Sequence, residues 1–212
     1  MTFSFEADMQ HLGIFWMLKL DGPVPPGAGL EPGIPATFLR AGPEIAGELA
    51  EAMMLDNPDT VLQRFTLGRQ CYLARVEGKI ASYGWISYDE EGIGELGLIL
   101  RLKMGDAYIW GCATLPPYRG QRLYPALLAH MLRELQRAGL ERIWIGTDAD
   151  NLPSQSGVAA VGFQPVVDVM LSQRKLLSQG RPGVPTQDVL DALYALFGNS
   201  DLIQTTLPET ET

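Results

Sequence analysis

A chain of 212 residues is long enough for one well-filled core with appendages. Hydrophobic residues make up 46% and charged residues 19%, and no apolar run approaches the roughly 20 residues that span a bilayer, so we expect a globular protein with no membrane partner. The net charge of -9 disfavours nucleic acid, which needs a positive field, and fits a cationic partner better. Two cysteines, Cys71 and Cys112, lie in predicted strands, which favours buried thiols over a disulfide or a metal site.

The first 35 residues differ in composition from the rest. The apolar segment 12–18 is short and follows Glu6 and Asp8, which disfavours a secretory signal and makes the cytoplasm the expected location. Residues 21–35 are rich in proline and glycine and cannot hold a helix or a sheet ladder. We therefore interpret residues 1–20 as an arm and 21–35 as a linker or wrapping loop.

Residues 37–104 alternate between helical and extended patterns. Pro43 can begin a helix, and a compact Glu77-Gly78-Lys79 turn between two β-branched and aromatic runs predicts a hairpin. The leucines after Gly94 alternate, which predicts one more strand. The predicted order is strand 37–40, helix 43–55, helix 57–67, strands 70–76 and 80–88, and strand 93–102.

The segment 92–97 reads Gly-Ile-Gly-Glu-Leu-Gly and matches a dinucleotide-binding fingerprint letter for letter. That mechanism requires a helix that begins in the turn, whereas the residues that follow alternate like a strand. We therefore expect glycines that shape a hairpin loop.

The segment 110–163 is the most informative part of the chain. A strand at 108–115 is stopped by two prolines, and a strong amphipathic helix follows, with Leu127, Met131 and Leu135 on its apolar face. Pro125 is tolerated only in the first helical turn, so the helix begins just before it, and Gly139 is a natural C-terminal cap. The free N–H groups of that first turn predict an anion site at residues 119–124.

The remaining residues predict a strand at 143–147, a short helix, a strand at 164–171 and a last amphipathic helix at 188–197. That last helix needs a partner surface, which is either its own domain or a second subunit, so a homodimer is left open. We expect residues 205–212 to be disordered.

The residues of this segment resemble the GNAT superfamily of acyl-CoA-dependent N-acyltransferases. The family pattern at the strand-to-helix turn is Arg or Gln, any two residues, Gly, any residue, and Gly or Ala. Arg119 and Gly120 match its common Arg-Gly opening, whereas Arg122 and Tyr124 stand where glycine or alanine is usual. Downstream, Asn151 and the pair Gly162-Phe163 match the family spacing. The resemblance covers residues 38–171 by element order and 115–163 by motif.

The resemblance implies an α/β (α+β) fold with a mixed, mostly antiparallel central sheet flanked by helices, matching the predicted element order. It implies an acyltransferase domain at 36–172, with the arm and loop at 1–35 and a C-terminal helix and tail at 173–212. The implied activity is transfer of an acetyl group from acetyl-CoA to the amine of a small molecule or peptide. No metal is implied.

The resemblance also assigns cofactor residues. Backbone amides of the turn would hold the pyrophosphate of coenzyme A, and the preceding strand and Asn151 would contact the pantetheine arm. The expected cofactor-binding residues are Cys112, Ala113, Thr114, Leu115, Arg119, Gly120, Gln121, Arg122, Leu123, Tyr124, Asn151 and Ser154.

The family's catalytic groups are matched less completely in this chain than its cofactor residues. The family's tyrosine acid would lie seven residues after Asn151, where this chain has Val158. Glu95 and Asp148 are the candidate bases, with solvated strand-end carboxylates as the competing interpretation of both. Tyr124 is expected to pack rather than to react. Two alternatives stay open: a catalytically silent acyl-CoA-binding or regulatory module, and a transferase of longer acyl or aminoacyl groups.

Overall fold

The computed structural model describes residues 10–22, 30–172, 175–198 and 204–206. Its main feature is a mixed sheet of nine strands in the order β11-β10-β9-β1-β8-β7-β4-β3-β2. These strands are β1 (Gln10–Lys19), β2 (Thr37–Ala41), β3 (Gln70–Val76), β4 (Lys79–Ser87), β7 (Asp106–Thr114), β8 (Arg142–Asp148), β9 (Gln164–Ser172), β10 (Lys175–Gly180) and β11 (Gln204–Thr206). A separate hairpin pairs β5 (Glu90–Ile93) with β6 (Leu98–Arg101).

Five helices pack on the two faces of the sheet. They are α1 (Ala46–Ala52), α2 (Asp59–Thr66), α3 (Leu123–Arg137), α4 (Leu152–Ala160) and α5 (Thr186–Phe197). The first predicted helix is shorter than expected, because residues 43–45 form a 3-10 turn and Met54 turns the chain with a φ of 56°. None of the described helices is both long and apolar enough to cross a bilayer.

Most neighbouring strands are antiparallel, and β7 and β8 are a parallel pair in the centre of the sheet. Their pairing covers only residues 106–109 with 142–145. Beyond Ile109 and Ile145 the two strands have no paired residues, so a gap opens in the sheet between their carboxyl ends.

The N-terminal strand lies in the interior of the sheet. β1 pairs along its length with β8 on one side and with β9 on the other, and its residues from Ile14 to Met17 are buried. The sequence pattern indicates an arm at residues 1–20, whereas β1 is an interior strand through which β8 and β9 are joined. The division of the chain at residues 35 and 172 stays a prediction.

Alternation along the strands separates two apolar layers. On one face, α3 and α4 cover residues such as Ile109, Ile143 and Ile145. On the other face, α1 and α2 cover Leu73 and Trp85, and α5 covers the half around Trp144. The helix α5 thus finds its partner surface on its own domain, where Asp191 pairs with Arg142 and Asp188 pairs with Lys19.

The predicted 70–88 hairpin is confirmed, and the predicted strand at 93–102 is wrong. β5 and β6 are joined by a 3-10 turn at Gly94–Leu96, and Gly97 has a left-handed φ of 63°. No α-helix begins there, and β6 follows the 3-10 turn, so the rejection of a dinucleotide fingerprint is confirmed. Leucine alternation does not distinguish one long strand from two short strands.

The C-terminal segment holds two strands that the sequence pattern does not predict. β10 pairs antiparallel with β9, and β11 pairs parallel with β10 at residues 204–206. Thr205 and Thr206 are therefore ordered in a strand, contrary to expectation, and residues 207–212 lie outside the described residues.

Candidate active site

The gap between β7 and β8 opens into a cleft of about 590 Å³, within the range of ligand pockets. Its wall combines the two strand ends, the first turns of α3 and α4, and parts of β1, α2, α5 and the β5–β6 hairpin. The described lining residues are Leu12, Gly13, Ile14, Phe15, Arg64, Gly92, Ile93, Gly94, Leu96, Tyr108, Trp110, Gly111, Cys112, Tyr124, Ile145, Gly146, Thr147, Asp148, Asn151, Ser154, Val169 and Leu196.

A β-bulge shapes the β7 side of the cleft. Trp110 pairs with Trp85 and Ala113 with Tyr83, so β7 has one extra residue between these pairs, and Gly111 takes a φ of 54°. A bulge turns backbone groups out of the ladder, here at the cleft wall. Glycine adopts this conformation without the strain that a side chain would add.

The predicted strand residues divide at the bulge. Cys112 lines the cleft, whereas Ala113, Thr114 and Leu115 are absent from the described wall. These three bond across to β4 instead: Ser82 Oγ donates to the Ala113 carbonyl at 2.8 Å, Thr114 Oγ1 donates to Ser82 Oγ at 3.0 Å, and the Leu115 amide donates to the Ala81 carbonyl at 2.9 Å. Burial raises the pKa of the Cys112 thiol to about 12, so it stays protonated near neutral pH.

The turn that leads into α3 has two residues with left-handed backbone, Gly120 with a φ of 76° and Arg122 with a φ of 55°. Within the described ranges, the amides of Gly120, Gln121, Leu123 and Tyr124 donate to no protein acceptor. A Cβ built on Gly120 meets nothing within 4 Å. The turn therefore offers several N–H groups and open space at the positive end of a helix, as an anion site requires.

Two contacts hold this turn from behind. The Gly33 amide donates to the Gln121 carbonyl at 2.8 Å, and Arg119 Nε donates to the Thr114 carbonyl at 3.2 Å. Ile34 and Ala36 pack beside the buried Leu123. Gly33 and Ile34 belong to the Pro/Gly-rich loop 21–35, so the described end of this loop packs against the turn, as a wrapping loop rather than a linker would.

Tyr124 connects the first turns of α3 and α4. Its ring lies against Gly157, where an added Cβ would be 2.6 Å from Tyr124 Cδ1, and its hydroxyl lies 3.3 Å from Ser154 Oγ. Burial raises the pKa of the Tyr124 hydroxyl above its ordinary value. The expected packing role is present, and in addition Tyr124 lines the cleft.

Asn151 is the N-cap of α4. Its Oδ1 accepts a hydrogen bond from the Ser154 amide at 3.1 Å, which satisfies one of the free donors of the helix start. Asn151 and Ser154 both line the cleft. Val158, at the family's tyrosine position, is fully buried in the core beneath α3 and has no access to the cleft.

The two candidate bases lie at different parts of the cleft. Asp148 ends β8, is exposed and lines the wall. Glu95 lies in the 3-10 turn of the β5–β6 hairpin rather than on the predicted strand, and its neighbours Gly94 and Leu96 line the wall. Both positions border the cleft, and Asp148 itself is part of the described wall.

Sequence reasoning missed the residues on the α2 and α5 side of the cleft. Arg64 extends from α2 over the rings of Trp85 and Trp110, and Tyr108 brings its hydroxyl to the backbone of Gly146. Arg64 belongs to a short amphipathic helix, where an arginine on the polar side carries no local signal of a site. The strands that place both tryptophans beneath it are distant in sequence.

The fold and the cleft together define an acyltransferase-like α/β domain with a cofactor-sized opening between two parallel strands. The chain belongs to the acetyltransferase (GNAT) family, whose family model matches residues 44–163. The matched range begins before α1 and ends after α4, so it contains the turn and the β7, β8, α3 and α4 parts of the cleft, whereas the wall residues of β1, β9 and α5 lie outside it. None of the curated proteins that were searched matches the chain.

Solved structures of the same family share the fold at low sequence identity. A GNAT-family protein from Novosphingobium aromaticivorans is 19% identical with a TM-score of 0.50, over 78% of this chain and 66% of that one. A GNAT-family acetyltransferase from Colwellia psychrerythraea is 16% identical with a TM-score of 0.56, over 77% of this chain and 56% of that one. A tandem GNAT protein from the clavulanic acid biosynthesis pathway is 20% identical with a TM-score of 0.54, over 73% and 50%. This chain therefore spans between half and two thirds of these structures.

Proposed function

We propose that this protein transfers an acetyl group from acetyl-CoA to the amine of a small molecule or peptide. The observation that carries the proposal is the α3 turn, whose unbonded amides and open glycine lie next to the cleft between β7 and β8. Membership in the GNAT family agrees with acetyl-CoA as the donor.

The residues present fit coenzyme A. The amides of residues 120–124 are donors for the pyrophosphate, and Arg119 and Arg122 add positive charge to the same turn. The backbone of Gly111 and Cys112, together with Asn151 and Ser154, lines the cleft where the pantetheine arm would lie. Ala113, Thr114 and Leu115 contribute by holding β7 to β4.

Acetyl-CoA supplies a thioester, in which a C–S bond breaks as the C–N bond to the amine forms. The chain's residues must accept one proton from the amine and return one to the departing thiolate. Cys112 stays protonated, which favours direct transfer over an acetylated cysteine. The bulge at Gly111 turns backbone groups toward the site of charge development.

Tyr124 is the proposed proton donor to the thiolate. The family's tyrosine position is occupied by Val158, which has no hydroxyl. Tyr124 would take over that role, and it reaches the cleft from α3 rather than from α4. Its raised pKa keeps the hydroxyl protonated at neutral pH, and the hydroxyl lies 3.3 Å from Ser154 Oγ, within reach of a hydrogen bond. The hydroxyl therefore still carries its proton when the thiolate forms, and its raised pKa makes it a weaker acid than an exposed tyrosine.

Asp148 is the proposed proton acceptor, with Glu95 as the second candidate. Asp148 follows Trp144 and Gly146 by strand alternation and so stands on the α2 and α5 side of the sheet, opposite α3 and α4. An acceptor amine that enters on that side would pass this carboxylate. Removal of the amine proton needs an ionised carboxylate within reach, directly or through one water.

The experiment is an acetyl-transfer assay over a panel of amines, with release of the CoA thiol and the product mass as readouts. We expect Asp148→Asn to lower kcat by roughly 100-fold, a typical contribution of a positioned base. Asp150→Asn is the matched control, because Asp150 is exposed two residues away and is absent from the described wall. Equal activity of the two variants would exclude Asp148 and transfer the role to Glu95.

The same assay separates the alternative of a silent acyl-CoA-binding module. Binding of acetyl-CoA without product on any amine would support that alternative, since the cradle would then function without proton transfer. Turnover on any amine would exclude it.

A further inference from the structure

Arg64 is the one cation among the described side chains of the cleft wall, and it is half-buried. Arg64 lines the wall, and its guanidinium carbon lies 4.8 Å from the ring centroid of Trp110 and 5.1 Å from that of Trp85. Its Nη1 is buried and has no hydrogen-bond partner. A buried charged donor without an acceptor is costly and rare in native proteins, so it requires an explanation.

The acidic residues around Arg64 do not supply a partner. Glu91 acts on Arg64 through its charge, but its carboxylate receives a 3.0 Å hydrogen bond from Arg69 Nε and a hydrogen bond from Ser87 Oγ. No ion pair joins Arg64 to a carboxylate among the residues that the structure describes. Arginine stays protonated at all accessible pH values, so deprotonation cannot remove the charge.

The position of Arg64 ties it to the acceptor side of the proposed reaction. Trp110 immediately precedes the bulge at Gly111, and a Cβ built on Gly111 would be 3.4 Å from Trp85 Cδ1. The two rings that carry the guanidinium thus adjoin the backbone where acyl transfer is proposed. The α3 turn that would hold the pyrophosphate lies on the opposite face of the sheet, so Arg64 is separate from that anion site.

We propose that Arg64 binds a carboxylate of the acceptor, so that the substrates of this protein are amines that carry a carboxylate close to the amine. This inference rests on the proposed function, because it names the acceptor class for the same site. A guanidinium offers paired N–H donors that match the two carboxylate oxygens, and Nη1 would gain its missing acceptor.

The charge balance of the cleft favours a monoanion. Arg64 and Asp148 are the charged residues among the described side chains of the wall, and they have opposite signs. A zwitterionic acceptor would place its ammonium group toward Asp148 and its carboxylate toward Arg64. A dianionic phosphate would exceed the single positive charge of Arg64 and be repelled by Asp148 and Glu91.

Binding of product-like probes tests this proposal without turnover. Calorimetric titrations in the presence of CoA would compare N-acetylalanine with N-acetylalaninamide, which lacks the carboxylate. An N-acetyl-aspartyl dipeptide amide carries the carboxylate on a side chain, so it distinguishes a peptide acceptor from a free amino acid. The proteins are the wild type, Arg64→Gln, and the control Arg133→Gln, which removes an exposed arginine of α3.

We expect the wild type and the Arg133 variant to bind at least one of the two carboxylate probes and to prefer it to N-acetylalaninamide. Arg64→Gln should weaken that binding by roughly 10-fold to 100-fold, the typical loss of a hydrogen-bonded charged partner. Its affinity for CoA should stay unchanged, and Arg64→Lys should fall between the two, because a lysine keeps the charge but not the paired donors.

Two results would overturn the proposal. One is that the wild type binds the carboxylate probes and the amide probe equally well. The other is that the wild type and Arg64→Gln bind the carboxylate probes equally well. If Arg64→Gln does not fold, the comparison of acid with amide on the wild type still decides. Loss of acetyl-CoA binding with retained carboxylate preference would instead reject the proposed function and leave the Arg64 site standing. Turnover of neutral amines, with no preference for a carboxylate, would instead reject the Arg64 site and leave the proposed acetyl transfer standing.

Discussion

The two sides of the cleft are built by different means. On the α3 and α4 side, the site consists mainly of backbone amides and glycines from a continuous stretch, residues 111–124. On the α2 and α5 side, it consists of side chains from distant segments, such as Arg64, Trp110 and Asp148. A site made of backbone depends on local turns and leaves a sequence motif, whereas a site made of side chains depends on which strands become neighbours. The proposed donor half therefore leaves a local motif in the sequence, whereas the proposed acceptor half does not.

The largest expected effect lies at the boundary between the two sides. Tyr124→Phe removes the hydroxyl and keeps the ring that packs on Gly157. We expect kcat to fall by roughly 100-fold while the affinity for acetyl-CoA changes little, because a proton donor acts only as the thiolate leaves. Steady-state kinetics with calorimetry would separate these quantities. Tyr88→Phe, a half-buried tyrosine that is absent from the described wall, should retain full activity.

The pH dependence of kcat offers a second way to test the role of Tyr124. A proton donor is active below its pKa and inactive above it, and burial raises the pKa of Tyr124 above the ordinary value of about 10. We therefore expect no alkaline decline of kcat from this group up to about pH 10. A decline centred near pH 8 in the wild type that disappears in Tyr124→Phe would contradict the assigned environment.

A smaller effect is expected on the donor side from Gln121→Glu. This change keeps the length of the side chain and adds a negative charge next to the unbonded amides of the turn. We expect the dissociation constant for acetyl-CoA to rise by about 10-fold, with kcat at saturation nearly unchanged. Gln164→Glu adds the same charge at the start of β9 and should have no effect. A similar loss in both variants would mean that overall charge, and not the turn, controls binding.

The smallest expected effect concerns the conformation of the turn. Arg122 adopts a left-handed backbone, which costs a residue with a side chain about 1 kcal/mol and costs glycine little. Replacement of the exposed Arg133 by glycine in the middle of α3 should lower the free energy of unfolding by about 1 kcal/mol. We expect Arg122→Gly to lower the free energy of unfolding by less than Arg133→Gly does, or to raise it. Urea denaturation of both variants would show an equal loss if the turn carried no strain.

Local signals in the sequence were sufficient for much of the donor side. Pro125 and Gly139 bracket α3, which begins at Leu123 and ends at Arg137. The hairpin around residues 77–79 and the strand that leads to the turn are also confirmed. Each of these features follows from the allowed backbone conformations of proline or glycine, which do not depend on distant residues.

The features that the sequence did not predict depend on long-range pairing. The position of β1 between β8 and β9 brings residues more than 120 positions apart together, such as Trp16 and Thr147, which are joined by a 2.9 Å hydrogen bond. Arg64 reaches the cleft because β4 and β7 place two tryptophans beneath it. Neither arrangement produces a local pattern, so the acceptor side was incomplete when read from the sequence.

Calorimetric titration of the folded wild-type protein with acetyl-CoA tests the proposed donor site most directly. We expect one binding site per chain, with a dissociation constant on the order of 1 µM to 1 mM, as for typical enzyme substrates. Binding should weaken in Gln121→Glu and remain intact in Gln164→Glu. An absence of binding at high micromolar concentration, in protein shown to be folded, would contradict the assignment of the α3 turn and its cleft as a coenzyme A site.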